Sequence, residues 1–367
     1  MPSAVMASEP PGTLLILPAT SRHRHAMLVA VVLLCAAGTA ALILLRGNPP
    51  EHRSAAPRRP EPTVSAPARP PPPPPARSQA AVGFTTLNVS ASGGDFAVQV
   101  FYPAARPGAA ASVSGAGAPY PLIVFSPGFD IDPAAYTTLV GAWTQAGFVV
   151  AVPHYPFTAP GDPGGLYEAD IVNHPADLRS VIDEILALSA SRTGLLSGAV
   201  DPTRIGAAGH SDGGDVTDAV VANSCCLDIR VKAAAMFAGA ELTSFSGTYT
   251  GISVPALVVQ GGADRVNLPA CSQQIYDSAR AARFYLDLPG AGHHAPYLQN
   301  GVSPSPAGTT YQRTVDRVSV LFWQGYLRGD TAARSGLAAL SSSAPPGATL
   351  FAGSPVTQDG VCPGAPQ

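Results

Sequence analysis

Lysine is almost absent from this chain: Lys232 is its only one. Charge of either sign is scarce, at 12% of residues, and 21 basic against 24 acidic side chains leave a net charge of -3. There is no excess positive field for gripping phosphates, so nucleic acid is not an expected partner. Cysteine and histidine are few, five and eight, and no cluster of them has zinc spacing. No glycine-rich loop precedes a basic phosphate contact, so neither a metal nor a nucleotide cofactor is expected. No internal repeat is visible either. What the chain does have is apolar surface: 46% of its 367 residues, enough for one large core or two small ones, which excludes disorder throughout.

Residues 26–45 contain no charge, and at 1.5 Å per residue they match the ~30 Å of a hydrocarbon core. An uncleaved transmembrane helix is the direct reading. The alternative is a cleaved signal peptide, but the run is long for one and no small-x-small site follows. A lipid-modified Cys35 fits poorly, because Leu34 stands where a small residue would be needed. Arg22 and Arg24 precede the span, and Arg46, Arg53, Arg58 and Arg59 follow it, so counting charges favours the N-terminus outside. Composition favours the reverse. Between 49 and 77, twelve of 29 residues are proline, ending in the run 70–75, which cannot bury a core and suits a polyproline spacer through an envelope. The expected organisation is a cytoplasmic tail at 1–25, a signal anchor at 26–45, a proline-rich linker at 46–81 and a catalytic domain at 82–367. That domain would face the cell envelope or the exterior from a single-pass anchor.

From residue 82 onward, short apolar runs alternate with amphipathic stretches, the pattern of an α/β fold. Eight strands are expected, at 85–90, 96–102, 122–126, 148–153, 205–209, 233–237, 256–260 and 284–288. The first two can pair as a hairpin across Gly93 and Gly94. Helices are expected at 134–146, 174–191, 213–222, 268–282 and 311–327. Right-handed crossovers would place them on both faces of a mostly parallel sheet.

After the fifth strand comes Gly209-His210-Ser211-Asp212-Gly213-Gly214, which matches the G-x-S-x-G nucleophile elbow. A tight strand-to-helix turn leaves no room for neighbouring β-carbons, hence the glycines. A serine hydroxyl needs a base, and the base needs an orienting carboxylate. Both follow in the order Ser, Asp, His: Asp264 just past the seventh strand and His293 just past the eighth. Asp264 alone could equally cap a turn. His293 alone would read as a loop histidine, and its neighbour His294 is the rival base. Two backbone N–H groups are needed for an oxyanion, and Phe129 and Asp212 are positioned to supply them. The Phe129 ring and the Asp212 side chain would then also line the substrate. Trp143 and Trp323 read as core, His154 as a packed loop residue, and His174, Asp177 and Arg179 as capping and surface pairing.

On these motifs the chain resembles the α/β-hydrolase superfamily, and within it bacterial cutinases and polyester hydrolases, with dienelactone-hydrolase-like and platelet-activating-factor-acetylhydrolase-like esterases close behind. The resemblance implies Ser211 as nucleophile, Asp264 as acid, His293 as base and the Phe129 and Asp212 amides as oxyanion donors. Polyester hydrolases usually carry methionine after the nucleophile and tryptophan after the sixth strand. This chain has Asp212, and no tryptophan between 231 and 251, leaving Phe245 and Tyr249 as candidates for that place. The expected function is a membrane-anchored carboxylic ester hydrolase acting on a small or surface-presented ester, lipid or polyester among them. Acyl transfer by the same triad, or a tethered binding module without catalysis, are the alternatives. Cys225, Cys226, Cys271 and Cys362 form an even set beyond the membrane segment, as an oxidising exterior allows. A Cys271–Cys362 bridge is expected, with Cys225 and Cys226 unassigned.

Overall fold

Uninterrupted apolar runs occupy the middle of the sheet, because parallel strands covered on both faces have no wet side. The computed structural model describes residues 79–91, 93–294, 296–298 and 306–363. The chain divides into two units, Met1–Pro72 and Pro73–Gln367, and all described residues belong to the second. The expected span at 26–45 lies outside the described residues, as does nearly all of the linker. Among the described residues no helix is long and apolar enough to cross a membrane.

Among the described residues ten strands form one sheet, where eight were expected. They are β1 (Ala81–Ala91), β2 (Gly94–Ala104), β3 (Gly108–Ala109), β4 (Tyr120–Ser126), β5 (Val149–Pro153), β6 (Val200–His210), β7 (Val231–Phe237), β8 (Ala256–Gly261), β9 (Arg283–Leu288) and β10 (Thr349–Ala352). Their order is β10-β9-β8-β7-β6-β4-β5-β2-β1-β3. From β9 to β5 all neighbours are parallel, whereas β1–β2, β2–β5 and β9–β10 are antiparallel. The hairpin closes with Ala91 opposite Gly94, as the glycine pair predicts.

Alternate residues of each strand feed two cores. Leu122 and Val124 face α2 (His174–Ala190), α3 (Asp212–Ala222) and α4 (Pro269–Ser278) through Leu178, Ile182, Val220 and Ile275. Ile123 and Phe125 face α1 (Thr137–Gln145), α5 (Pro306–Tyr326) and α6 (Thr331–Ser343) through Leu139, Phe322 and Leu337. Trp143 and Trp323 meet edge to face in this second core with centroids 5.7 Å apart, filling it as expected.

His174 and Asp177 depart from expectation. A 3-10 turn at Glu168–Asn173 runs directly into α2, so the start of that helix is covered and both residues are buried. The His174 ring stacks on Tyr155, and Asp177 Oδ1 has no hydrogen-bond partner.

The C-terminal segment is more ordered than its glycine and proline content suggests. After β10 it returns to α4, where the Tyr276 hydroxyl donates to Ser354 O at 2.7 Å and Cys271 bonds Cys362. Cys225 and Cys226 bond each other. The Cys271–Cys362 link spans 91 residues, and closing so long a loop in the unfolded chain typically stabilises a protein by about 2–4 kcal/mol. Cys271→Ser is therefore expected to shift urea unfolding by that amount and to expose the tail beyond β10 to protease. Unchanged unfolding midpoints would show that the tail adds nothing.

Candidate active site

Ser211 sits between β6 and α3 with φ of +56°, a conformation that side chains other than glycine rarely adopt. Its N–H donates to Phe237 O at 2.9 Å, which ties the turn to the end of β7. The surrounding glycines are sterically required. A Cβ at 209 would lie 2.0 Å from Gly213 O, and one at 213 would lie 1.9 Å from Ser126 O. The turn thus presses α3 against the end of β4.

His293 and Asp264 come from the loops after β9 and β8, towards the β10 edge. A Cβ on Gly261 would lie 2.4 Å from Ala291 O, so only glycine lets the loops after β8 and β9 touch. Ala263 N–H donates to Ala291 O at 2.9 Å across that contact. His293 then reaches Ser211 Oγ with Nε2 at 2.9 Å and Asp264 Oδ2 with Nδ1 at 2.8 Å. A carboxylate only accepts, so Nδ1 carries the proton and Nε2 is free to receive the serine's. Asp264 is buried and held: its Oδ1 accepts from Val266 N–H at 2.9 Å and Asn267 N–H at 3.1 Å, and its Oδ2 from Gln260 Nε2 at 3.2 Å. The Ser272 hydroxyl fixes Gln260 in turn, donating to Oε1 at 2.6 Å. His294, the rival base, has an exposed ring 4.9 Å from that of His293 and takes no part in the relay.

The loop after β4 passes directly over Ser211. A Cβ on Gly128 would come within 3.1 Å of Ser211 Cβ, which places the next amide, that of Phe129, beside the serine. Two tyrosines grip this loop. Tyr155 Oη lies 2.9 Å from Ser126 Oγ, and Tyr136 Oη accepts from Gly128 N–H at 3.1 Å.

Asp212 brings a carboxyl into the same space. Burial pushes its pKa up to about 6, with the charge of Glu168 adding and that of His293 opposing. Its Oδ2 is buried without a hydrogen-bond partner. Phe245 and Tyr249 are the aromatic candidates for the tryptophan's place. Phe245 belongs to the α2–α3–α4 core, and Tyr249, whose backbone bridges Asn223 just after α3, bonds Leu242 through its hydroxyl. Gln260, Ser272, Asn267, Tyr136 and His210 support the site without having been singled out in the sequence. Only His210, inside the elbow motif, carried a positional signal.

A cavity of about 1220 Å³ lies at the opposite end of the strands, between α1, α5 and α6, and Ser211 does not line it. Among the described residues no group of His, Cys, Asp and Glu is arranged to hold a metal.

A serine, an aspartate and a histidine, following one another in that order along the chain and brought together at the C-terminal ends of parallel strands, define an α/β-hydrolase. The family model described as "PETase: PET hydrolase-like" matches residues 61–317, and the chain belongs to that family and is a carboxylic ester hydrolase. No curated protein matches the sequence. Among solved structures, a ferulic acid esterase from Streptomyces cinnamoneus is similar at 20% identity and a TM-score of 0.57, over 76% of this chain and 98% of that one. At that identity the likeness speaks for the fold.

Proposed function

We propose that the protein is a serine esterase in which Ser211, His293 and Asp264 form the catalytic triad. Ser211 Oγ attacks the ester carbonyl while His293 Nε2 takes its proton. The carbonyl electrons move onto oxygen, facing the Phe129 and Asp212 amides. Collapse expels the alcohol, which leaves with the proton from His293, and Ser211 holds the acyl group. Water repeats the sequence and frees the acid. Asp264 orients the imidazole and stabilises its charged form. The observation that carries this reading is the continuous relay from Ser211 Oγ through His293 to Asp264, at 2.9 and 2.8 Å. A fluorophosphonate should label Ser211 in the wild type and leave Ser211→Ala unlabelled.

We place the substrate among esters presented at a surface, polyester or lipid. Leu166, Tyr167, Val172 and Val266 are exposed apolar side chains on the two segments that carry Glu168 and Asp264. The Asp212 carboxyl lies where an apolar acyl chain would have to desolvate it, so short or hydroxylated acyl groups are favoured. Asp212→Met should raise kcat/KM for butanoate over acetate aryl esters by about tenfold, since each of the two further buried CH₂ groups is worth about 0.8 kcal/mol. An unchanged chain-length profile would show that Asp212 plays no part in choosing the acyl group. Residues 26–45 are proposed to tether the enzyme with its catalytic domain outside, a placement that two disulfides in that domain support.

A further inference from the structure

Behind the triad, a chain of buried polar groups connects the oxyanion loop with the histidine loop. Gly128 N–H donates to Tyr136 Oη at 3.1 Å, Tyr136 Oη lies 2.9 Å from His210 Nδ1, and His210 Nε2 lies 2.9 Å from His293 O. Both Tyr136 and His210 are fully buried. The directions follow from chemistry alone. A carbonyl oxygen only accepts, so His210 Nε2 carries the proton and donates to His293 O. Neutral imidazole then has an acceptor at Nδ1, which takes the Tyr136 hydroxyl proton, and the hydroxyl oxygen is left to receive the Gly128 amide. Burial, reinforced by the charge of His293, keeps the His210 pKa well below the usual histidine range, consistent with this neutral tautomer. Every polar atom of the chain is satisfied once, in one direction.

The two ends of this chain are the parts that must keep register for ester cleavage. One end is the peptide that precedes the Phe129 amide, and the other is the backbone of the base itself. Rings pack the middle so that it has little room to move: Tyr297 and His293 lie with centroids 4.8 Å from His210, and Phe125 lies 4.6 Å from Tyr136. We propose that Tyr136 and His210 are positioning residues that hold the oxyanion loop and His293 in mutual register, acting through backbone groups without touching substrate. The proposal rests on the triad reading given above.

Kinetics on short-chain p-nitrophenyl esters, with active sites titrated to completion by a fluorophosphonate, test it. Tyr136→Phe keeps the ring and removes the link. It should lower kcat per titrated site by about 10–100-fold while KM changes less than about threefold, because the loss falls on the charged intermediate rather than on the bound ester. His210→Gln can still donate to His293 O and accept from Tyr136, whereas His210→Leu can do neither. The glutamine variant should retain at least about tenfold more activity than the leucine variant. A lower Tm with kcat per titrated site within twofold of wild type in Tyr136→Phe would reduce the pair to core filling and overturn the proposal, as would equal activity of the two His210 variants. Ser211→Ala separates the two readings. If it remains active, the triad itself is wrong; if it is inactive while Tyr136→Phe is unaffected, only the positioning role falls.

Discussion

Ser211→Ala is expected to lower kcat/KM for aryl esters by about 10⁴- to 10⁶-fold, leaving the residue of catalysis that oxyanion donors and binding supply. Among the described residues the side-chain hydroxyl of Ser211 has one hydrogen-bond partner, His293, and alanine retains the Cβ that already sits at positive φ. Thermal stability should therefore stay close to that of the wild type. His293→Ala should match it in activity, because Asp264 has no other route to the serine. His294→Ala should remain within about threefold of wild type, since its exposed ring lies outside the relay. Paired measurements of kcat/KM and circular dichroism melting decide the matter. A His294→Ala defect larger than that of His293→Ala would exchange the two histidines and with them the proposed path of the proton.

That Ser211, Asp264 and His293 would converge was legible in the sequence because each carries a largely local signal. Gly209 is forced within the turn, where a Cβ would lie 2.0 Å from Gly213 O, whereas Gly213, where a Cβ would lie 1.9 Å from Ser126 O of β4, was readable only through the motif; Asp264 and His293 each follow a strand whose apolar run is unmistakable. β10 was not legible, since the four residues Thr349–Ala352 gain their strand character by pairing with β9. α6 is different: its start carries a signal, Asp330, whose carboxylate caps Ala332 and Ala333 N–H, but its alanine- and serine-rich body puts only two large apolar side chains, Leu337 and Leu340, beside Ala333 on the buried face. The support of the site was hidden for a third reason. Tyr136 and His210 lie 74 residues apart, and no periodicity announces a hydrogen bond made through the interior.

Stability should decline as pH rises from about 4 towards 7, and Asp218 should be a principal cause. It lies on the buried face of α3, fully enclosed, with neither carboxylate oxygen hydrogen-bonded. Burial raises its pKa well above the usual range, and the nearby charge of Glu241 adds to the effect. Asp215 one turn away and Tyr249 across from it also feel its charge, and neither supplies a cation. The folded protein therefore keeps a proton on Asp218 that the unfolded chain gives up above about pH 3.9. The native state binds more protons, so stability falls by about 1.4 kcal/mol per pH unit for as long as the folded carboxyl stays protonated. Asp177 and Asp316, raised by burial to about 6 and about 7, act in the same direction. Asp228 runs the other way: burial opposes its charge, but hydrogen bonds from Arg230 outweigh it. Asp218→Asn removes one titration while leaving a polar group of the same size in the same place. Any fixed penalty for an unpartnered amide is equal at every pH and cancels in a comparison across pH. Urea unfolding at pH 4.5, 6 and 7.5 should show the variant gaining on the wild type at each step, by more than 1 kcal/mol over the range. Parallel stability curves for the two proteins would mean that Asp218 is ionised in the native state and that its charge is met by a partner such as a buried water.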